Sequence, residues 1–317
     1  MKQNNLKGSL ILCTASLIWG LAFVAQSDAA DLVPSFTFNA LRSFIGAAAL
    51  LVFYKITSRK GKESFFPADK ALRKQYFLAA AVCGLMLTIS VNLQQFGLAA
   101  YPVGAASEAR GGFITALYVV LVPVISFFMG KKTSPVIWLR VLVALLGFYL
   151  LCLSGGINGI YLGDLLIYIC AIAFSLHILS IDKLVGITGG VKLSIMQFTV
   201  VGVLSSVLAL IFEHPELSNI LAAAPQILYL GIMSSGVAYT LQIVGQKYAA
   251  PSVASLSMSL ESVFAALGGW VISGNALSLK EFCGCALVFA AIIVAQLPDM
   301  IASRKKQECL SKLYKGL

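Results

Sequence analysis

Residues 193–212, LSIMQFTVVGVLSSVLALIF, form a run of twenty residues without a single charged side chain. A helix needs roughly 20 mostly apolar residues to cross the hydrocarbon layer of a membrane, which is about 30 Å thick. The run is much longer than the strands of globular proteins, so its length favours a helix. This stretch therefore predicts a membrane-spanning helix.

Nine more apolar runs of comparable length occur along the chain. Of its 317 residues, 59% are hydrophobic and only 11% are charged, whereas about a quarter of the residues in a soluble domain are charged. The runs predict an all-α integral membrane protein with ten transmembrane helices, and they leave no room for a separate soluble domain. The nine are 8–26, 35–54, 76–98, 103–129, 135–154, 162–181, 226–245, 251–273 and 281–298.

Basic residues are concentrated in every second loop. Lys2 and Lys7 precede the first run, residues 27–34 after it contain no base, and seven bases lie between residues 55 and 74. The alternation continues to the basic tail, and Lys and Arg are retained on the cytoplasmic side of membranes. The pattern predicts a multi-pass protein of the cytoplasmic membrane with both termini in the cytoplasm. Because the net charge of +10 is spread over these loops, it does not indicate a nucleic-acid partner.

A cleaved signal peptide is the alternative for run 8–26. A basic start precedes its apolar core, and small residues follow at Ala25 and Ala29, as in signal sequences. Cleavage would leave nine runs and a non-cytoplasmic start, and Trp19-Gly20 is unusual inside a signal core. The residues therefore favour a spanning helix.

The cysteines give no sign of a disulfide framework. Their number, seven, is odd, and six lie in apolar runs, where free cysteine behaves as a small hydrophobe. Cys283 and Cys285 are two residues apart, so they point to different sides of a helix. The sequence has no metal-ligand spacing and no Walker motif, so we expect no metal, no cofactor and no direct use of ATP.

The runs are divided evenly by the glycine-rich stretch 155–159. Five runs precede it and five follow it. When a half with an odd number of spans is duplicated, the second copy inserts upside down, which is the inverted-repeat architecture common among secondary transporters. We predict two inverted five-helix repeats at 1–154 and 155–298, followed by a basic cytoplasmic tail at 299–317.

Several short motifs point to a known family. They are ASLIWG at 15–20, Arg42 in the second run, GFITALYVVLVP at 112–123, GDLL at 163–166 and SLESVFAAL at 259–267. In this order and spacing they resemble the EamA family of the drug/metabolite transporter superfamily over residues 8–298. The resemblance implies a ten-helix metabolite transporter, often an exporter, with a central cavity between its halves.

Two positions depart from the pattern of that family. Ser262 stands where the family usually has proline after the glutamate, so the resemblance does not imply a kink in the ninth helix. Gly274-Asn275 stands where a glutamate is common at the end of that helix. Neither departure changes the overall assignment.

Charged side chains inside the runs are the strongest functional candidates, because a charge at the bilayer centre costs at least ~2.5–3.5 kcal/mol. Glu261 lies near the middle of its run, on a face of small and polar residues that includes Ser257. We predict that Glu261 binds substrate or a proton and that Ser257, one turn earlier, shares the ligand. The alternative is a close helix contact in which Glu261 is paired internally.

Arg42 lies inside the second run, and Asn39 lies three residues earlier on the same face. A guanidinium there could hold a carboxylate or a phosphate with two parallel hydrogen bonds. We predict that Arg42 and Asn39 contact the substrate. A structural ion pair with Glu108 or Glu261 is the alternative.

Five further residues complete the candidate site. Glu108 and Arg110 either line the cavity or lie at the interface, and being two residues apart they cannot share a helix face. Tyr118 lies on the helical stripe of Glu108, and Trp19 could stack on a substrate. His177 is a second candidate for proton coupling, although a lone histidine is more often packed and hydrogen-bonded.

These residues and the resemblance predict a secondary transporter, in the export direction, of a small polar metabolite such as an amino acid. The two halves would alternate access to the cavity, with proton coupling at Glu261 or His177. A polytopic membrane enzyme and a facilitative channel-like permease are the alternatives. An enzyme is disfavoured because no nucleophile stands in register with a base. The partners expected are a small-molecule substrate and membrane lipid, and the sequence does not indicate an oligomeric state.

Overall fold

The structure is a computed structural model that describes residues 5–58, 64–102, 107–130 and 161–273, with isolated positions between 138 and 146 and between 279 and 290. Within these ranges the chain is helical apart from short connections, and it contains no strand. The first half comprises α1 (Asn5–Ala30), α2 (Ser35–Ser58), α3 (Lys70–Ala99), α4 (Ser107–Thr115) and α5 (Tyr118–Phe128). The second half comprises α6 (Leu162–Thr188), α7 (Gly190–Phe212), α8 (Leu217–Ala222), α9 (Ala224–Tyr229), a π-helical segment (Leu230–Ala238), α10 (Tyr239–Gln246), α11 (Pro251–Met258) and α12 (Leu260–Ser273).

Eight helical stretches are long and apolar enough to cross a membrane. Each coincides with one of the ten predicted runs, so these eight predictions are confirmed as helices of spanning length. The predicted spans 135–154 and 281–298 lie largely outside the described residues, and the count of ten stays a prediction. The eight stretches are Leu6–Ala30, Ser35–Ser58, Lys70–Ala99, Ser107–Phe128, Leu162–Thr188, Gly190–Phe212, Ala224–Gln246 and Val253–Ile272.

The fourth span is interrupted between α4 and α5. The Leu117 N–H donates to the Ile114 carbonyl at 3.2 Å, and the Val120 N–H donates to the Leu117 carbonyl at 2.9 Å. These bonds reach back three residues and tighten the turn. Pro123 follows inside α5, where its ring crowds the carbonyl four residues earlier and favours the distortion.

The span Val253–Ile272 is interrupted between α11 and α12, although Ser262 stands where the EamA family, which the sequence resembles, usually has proline. The Ser262 hydroxyl donates to the Ser259 carbonyl at 2.8 Å, and the Ser259 hydroxyl donates to the Leu256 carbonyl at 2.7 Å. Serine side chains that bond to carbonyls of the preceding turn compete with the helix ladder and bend it. Two serines therefore provide the interruption that we did not expect from the sequence.

Described helices of the two halves pack against each other. α1 lies at the centre against α12, α11 and α10, while α2 packs along α7 and α3 along α6. Small residues allow close approach: a Cβ added at Gly46 would lie 2.7 Å from the Ser235 Cβ, as at helix contacts in membranes. Large apolar side chains such as Phe128 and Leu210 remain exposed on the outer surface, where they suit contact with lipid.

α2 and α7 run in opposite directions. Glu213, directly after α7, contacts Phe36 near the start of α2. At the other end, Ser58 of α2 and Gly190 of α7 line the same groove. This antiparallel arrangement of corresponding helices is what an inverted repeat requires.

Candidate functional site

A small cavity lies between the two halves. It has a volume of about 30 Å³, which holds about two water molecules and not a metabolite. Among the described residues the two halves contribute equally to its wall, which combines apolar side chains with amides, hydroxyls, one acid and one base. The lining residues are Trp19, Phe23, Gln26, Arg42, Gln94, Thr115 and Tyr118 from the first half, and Phe174, Ile178, Ser234, Tyr239, Gln242, Met258 and Glu261 from the second.

Glu261 is the acid of this cavity. It lies in the first turn of α12, where the positive end of the helix dipole favours a carboxylate. The residue is only 5% exposed, and its Oε1 accepts a hydrogen bond of 2.8 Å from the Tyr118 hydroxyl. The interruption before α12 thus directs a carboxylate from the second half towards a phenol from the first.

Arg42 is the base of the cavity, contributed by α2. The residue is 3% exposed, and its Nη1 donates to the Gln26 Oε1 at 3.4 Å. Its guanidinium lies 5.7 Å from the centre of the Phe38 ring. Among the described residues neither Arg42 nor Glu261 takes part in an ion pair. A guanidinium with five donors therefore retains capacity for a further acceptor.

Trp19 and Tyr239 form an aromatic wall. Their rings pack edge to face with centroids 4.8 Å apart, and Tyr239 also contacts Phe198 at 5.2 Å. The Trp19 Nε1 is buried and has no hydrogen-bond partner in the described part of the chain. Trp19 lines the cavity, and a buried indole donor without a protein acceptor is uncommon.

Three of the other predicted site residues make contacts away from this cavity. Asn39 donates to the Val91 carbonyl at 3.1 Å and the Asn92 Oδ1 at 3.0 Å, so it ties α2 to α3. The His177 Nε2 lies 3.1 Å from the Gln197 Oε1. The Ser257 hydroxyl donates to the Ser9 hydroxyl at 2.9 Å. None of the three lines the cavity, and their roles in binding or coupling stay predictions.

Glu108 and Arg110 also lie outside the cavity wall. Glu108 is in the first turn of α4. Arg110 forms a two-pronged ion pair with Asp164 of the second half: its Nε is 3.2 Å from Oδ1 and its Nη2 is 2.8 Å from Oδ2. Arg110 also lies 4.8 Å from the centre of the Tyr161 ring. This pair joins the two halves at the start of α6.

Asp164 is the centre of that cluster. It accepts the Tyr101 hydroxyl at 2.7 Å and the Tyr161 backbone N–H at 2.9 Å, in addition to Arg110. Burial, with the Asp164 hydrogen bond, raises the pKa of the Tyr101 hydroxyl, so the phenol remains a donor. In the sequence Asp164 stands out only as part of the motif GDLL at 163–166, and this role was not predicted.

The amides of the cavity, Gln26, Gln94 and Gln242, were not predicted either. The Gln94 Nε2 donates to the Thr115 Oγ1 at 3.2 Å, and the Gln242 Oε1 is buried without a partner among the described residues. An amide inside an apolar run is itself unusual, since its polar atoms need partners there. That signal could have identified them.

Comparisons with known proteins agree with this architecture. The model of the EamA-like transporter family matches residues 6–153 and 161–296. A protein named "Uncharacterized transporter" from Archaeoglobus fulgidus is 28% identical over 293 residues, covering 92% of this chain and 86% of the relative. A solved structure, "Crystal structure of protein", has a TM-score of 0.69 at 22% identity and covers 93% of this chain and 98% of its own; it supports the fold alone. Because the family model matches both halves in succession, the chain belongs to the EamA-like transporter family.

Proposed function

We propose that this protein is a secondary transporter that exports a small zwitterionic metabolite, such as an amino acid. The observation that carries the proposal is the pair Arg42 and Glu261, one base and one acid that line the same cavity. Both are buried, and in the described part of the chain neither is neutralised by an ion pair. The carboxylate and the ammonium of a zwitterion would complement these two charges, because buried charges require partners.

Alternating access follows from the size and composition of the cavity. Both halves supply its wall, and its volume of about 30 Å³ is too small for a metabolite. We interpret this conformation as one in which the cavity is contracted. A movement of one half against the other would enlarge the cavity towards one side of the membrane at a time.

Proton coupling is assigned to Glu261. A carboxylate inside the membrane is costly unless it is paired or hydrated. Its neutral form suits the contracted cavity, and its ionised form suits a cavity that is open to water. The Tyr118 hydroxyl donates to Oε1, which orients the carboxylate without neutralising it.

The orientation is part of the proposal, with both termini in the cytoplasm and the Arg110–Asp164 pair on the opposite side. Cys309, in the basic tail, lies outside the described residues and serves as a natural reporter. A membrane-impermeant thiol reagent should label Cys309 in inside-out vesicles and not in intact cells. Labelling in intact cells would reverse the orientation.

Transport in proteoliposomes tests the function directly. Vesicles that contain the purified protein are loaded with unlabelled amino acids, and entry of labelled amino acids by exchange is measured with and without a pH gradient. We expect saturable exchange that a pH gradient accelerates. Saturable exchange that does not respond to the pH gradient would contradict proton coupling but would still support a transporter. Flux without saturation or exchange would favour a channel-like permease, and no flux of any amino acid would overturn the substrate class.

A further inference from the structure

Trp19 and Gln242 bring an unpartnered hydrogen-bond donor and an unpartnered acceptor to the central cavity. The donor is the Trp19 Nε1 and the acceptor is the Gln242 Oε1, in residues that are 9% and 2% exposed. Both residues line the cavity, whereas the other buried side-chain atoms without a partner in the described ranges belong to residues outside its wall. Neither group is used by the acid and the base that we assign to a zwitterion.

Other polar side chains of the cavity wall pair with one another. The Gln26 Oε1 accepts from the Arg42 Nη1 at 3.4 Å, and the Gln94 Nε2 donates to the Thr115 Oγ1 at 3.2 Å. A buried polar group in a native protein nearly always has a partner, from the protein or from outside it. The unpartnered indole and amide therefore indicate a group that enters the cavity.

The donor and the acceptor lie next to the same aromatic ring. The Trp19 ring packs edge to face on the Tyr239 ring, with centroids 4.8 Å apart. Gln242 follows Tyr239 by three residues in α10, so the two side chains lie on one face of that helix. Tyr239 also lines the cavity. One half of the protein thus supplies the donor and the other half supplies the acceptor, around a shared ring.

We propose that the transported metabolite has a neutral side chain that both accepts and donates a hydrogen bond, namely a hydroxyl or a primary amide. Its oxygen accepts from the Trp19 Nε1, and its O–H or N–H donates to the Gln242 Oε1. The inference rests on the proposed function, in which Arg42 and Glu261 bind the carboxylate and the ammonium of a zwitterion. Trp19 and Gln242 then determine which zwitterion is carried.

Such a site rejects an apolar side chain of the same shape. An apolar group would leave the indole N–H and the amide oxygen unpaired in the closed cavity, and each unpaired group carries a desolvation penalty. Sites that hydrogen-bond a substrate group discriminate against analogues without it far more strongly than apolar pockets discriminate by size. We expect a preference of roughly a hundredfold for the hydrogen-bonding side chain.

Exchange in proteoliposomes with two isosteric pairs of amino acids tests the preference. Threonine is compared with valine for the hydroxyl, and asparagine with leucine for the amide. The quantity measured is the maximal exchange rate divided by the half-saturating concentration. The ratio within each pair is taken for the same preparation, so it does not depend on how much protein is folded. Preference in the first pair identifies a hydroxyl, and preference in the second identifies an amide.

Two substitutions remove the proposed contacts while they keep the shapes of the side chains. Trp19→Phe removes the indole N–H, and Gln242→Met removes the amide; each should lower the preference roughly tenfold, because one hydrogen bond is lost. The matched controls are Trp270→Phe, at an exposed residue of α12, and Gln246→Met, at a buried residue one turn after Gln242. Neither control residue lines the cavity, so both variants should keep the preference.

Several results would overturn the inference. If both members of each pair exchange equally well, Trp19 and Gln242 bind only water, and the protein is still an amino-acid transporter. A preference that survives in Trp19→Phe or in Gln242→Met, or that falls as far in the controls, would place recognition elsewhere. If no amino acid exchanges at all, the proposed function fails, and this inference fails with it.

Discussion

Two sets of oppositely charged side chains lie between the halves of this protein. In one set the acid and the base form an ion pair, and in the other they do not. Arg110 and Asp164 form a two-pronged ion pair with side chains 26% and 12% exposed. Arg42 and Glu261 line one cavity at 3% and 5% exposure, yet within the described residues neither belongs to an ion pair. The better buried acid and base are the ones without a partner of opposite charge.

This difference separates a structural role from a functional one. An ion pair that is already formed, and supported by Tyr101 and Tyr161, has its charges satisfied. Buried charges without a charged partner are unfavourable and persist where function needs them. The comparison therefore predicts that substitutions in the cavity impair transport, whereas substitutions in the ion pair mainly affect stability.

Glu261→Gln is expected to have the largest effect. The amide keeps the shape and can still accept from Tyr118, but it can neither ionise nor balance an ammonium group. The variant should reach the membrane. A pH gradient should no longer accelerate its transport, and substrate exchange should be the only activity that it retains. Transport into proteoliposomes at several pH values measures this. Glu216→Gln, an exposed carboxylate before α8, is the control and should behave as the unaltered protein.

The opposite outcome is equally informative. If Glu261→Gln transports at the original rate with the original pH dependence, Glu261 is neither a coupling group nor a charged ligand. Glu261 would then belong to a close-packed helix contact, and its role would be structural, like that of the Arg110–Asp164 pair.

Arg42→Lys should have the second largest effect. Lysine keeps the charge but loses the planar fork that binds a carboxylate with two hydrogen bonds, so the apparent affinity for substrate should fall roughly tenfold. The concentration dependence of exchange measures this, and Arg73→Lys on the exposed start of α3 is the control. If Arg42→Lys transports normally while Arg42→Ala does not accumulate in the membrane, Arg42 is structural.

The helices were predictable because lipid imposes one strong requirement on each span. Twenty apolar residues without a charge, as in 193–212, have few other structures available. Interruptions of these helices depend on the competition between a few hydrogen bonds. The π-helical segment Leu230–Ala238 and the break at Ser259 arise from a few hydrogen bonds, and the hydropathy of their spans does not reveal them.

Residues of the site could be predicted only where a single residue was unusual for its sequence context. Arg42 and Glu261 stand out because charges are rare in apolar runs, and the structure brings both to the cavity. Arg110 was equally conspicuous, but its pairing with Asp164 joins residues of different halves. Such long-range contacts depend on the packing of α4 against α6, which no local pattern reports.

Disruption of the Arg110–Asp164 pair should have the smallest effect on transport. Asp164→Asn can still accept the Tyr161 N–H, and Arg110→Gln leaves a shorter polar chain. Because the pair is partly exposed to water, its coupling energy should be about 1 kcal/mol. Unfolding of the two single variants and the double variant in detergent gives this energy, since the double variant should be little less stable than the worse single variant.

Transport by the same three variants decides what the pair does. With a purely structural pair, each variant should exchange substrate at a rate within a few-fold of the original, with unchanged substrate affinity and pH dependence. If a single variant unfolds normally and yet loses transport, the pair has to open or close during the cycle. The distinction between satisfied and unsatisfied charges would then fail, because a bond that must break in every cycle is as functional as a charge that awaits its ligand.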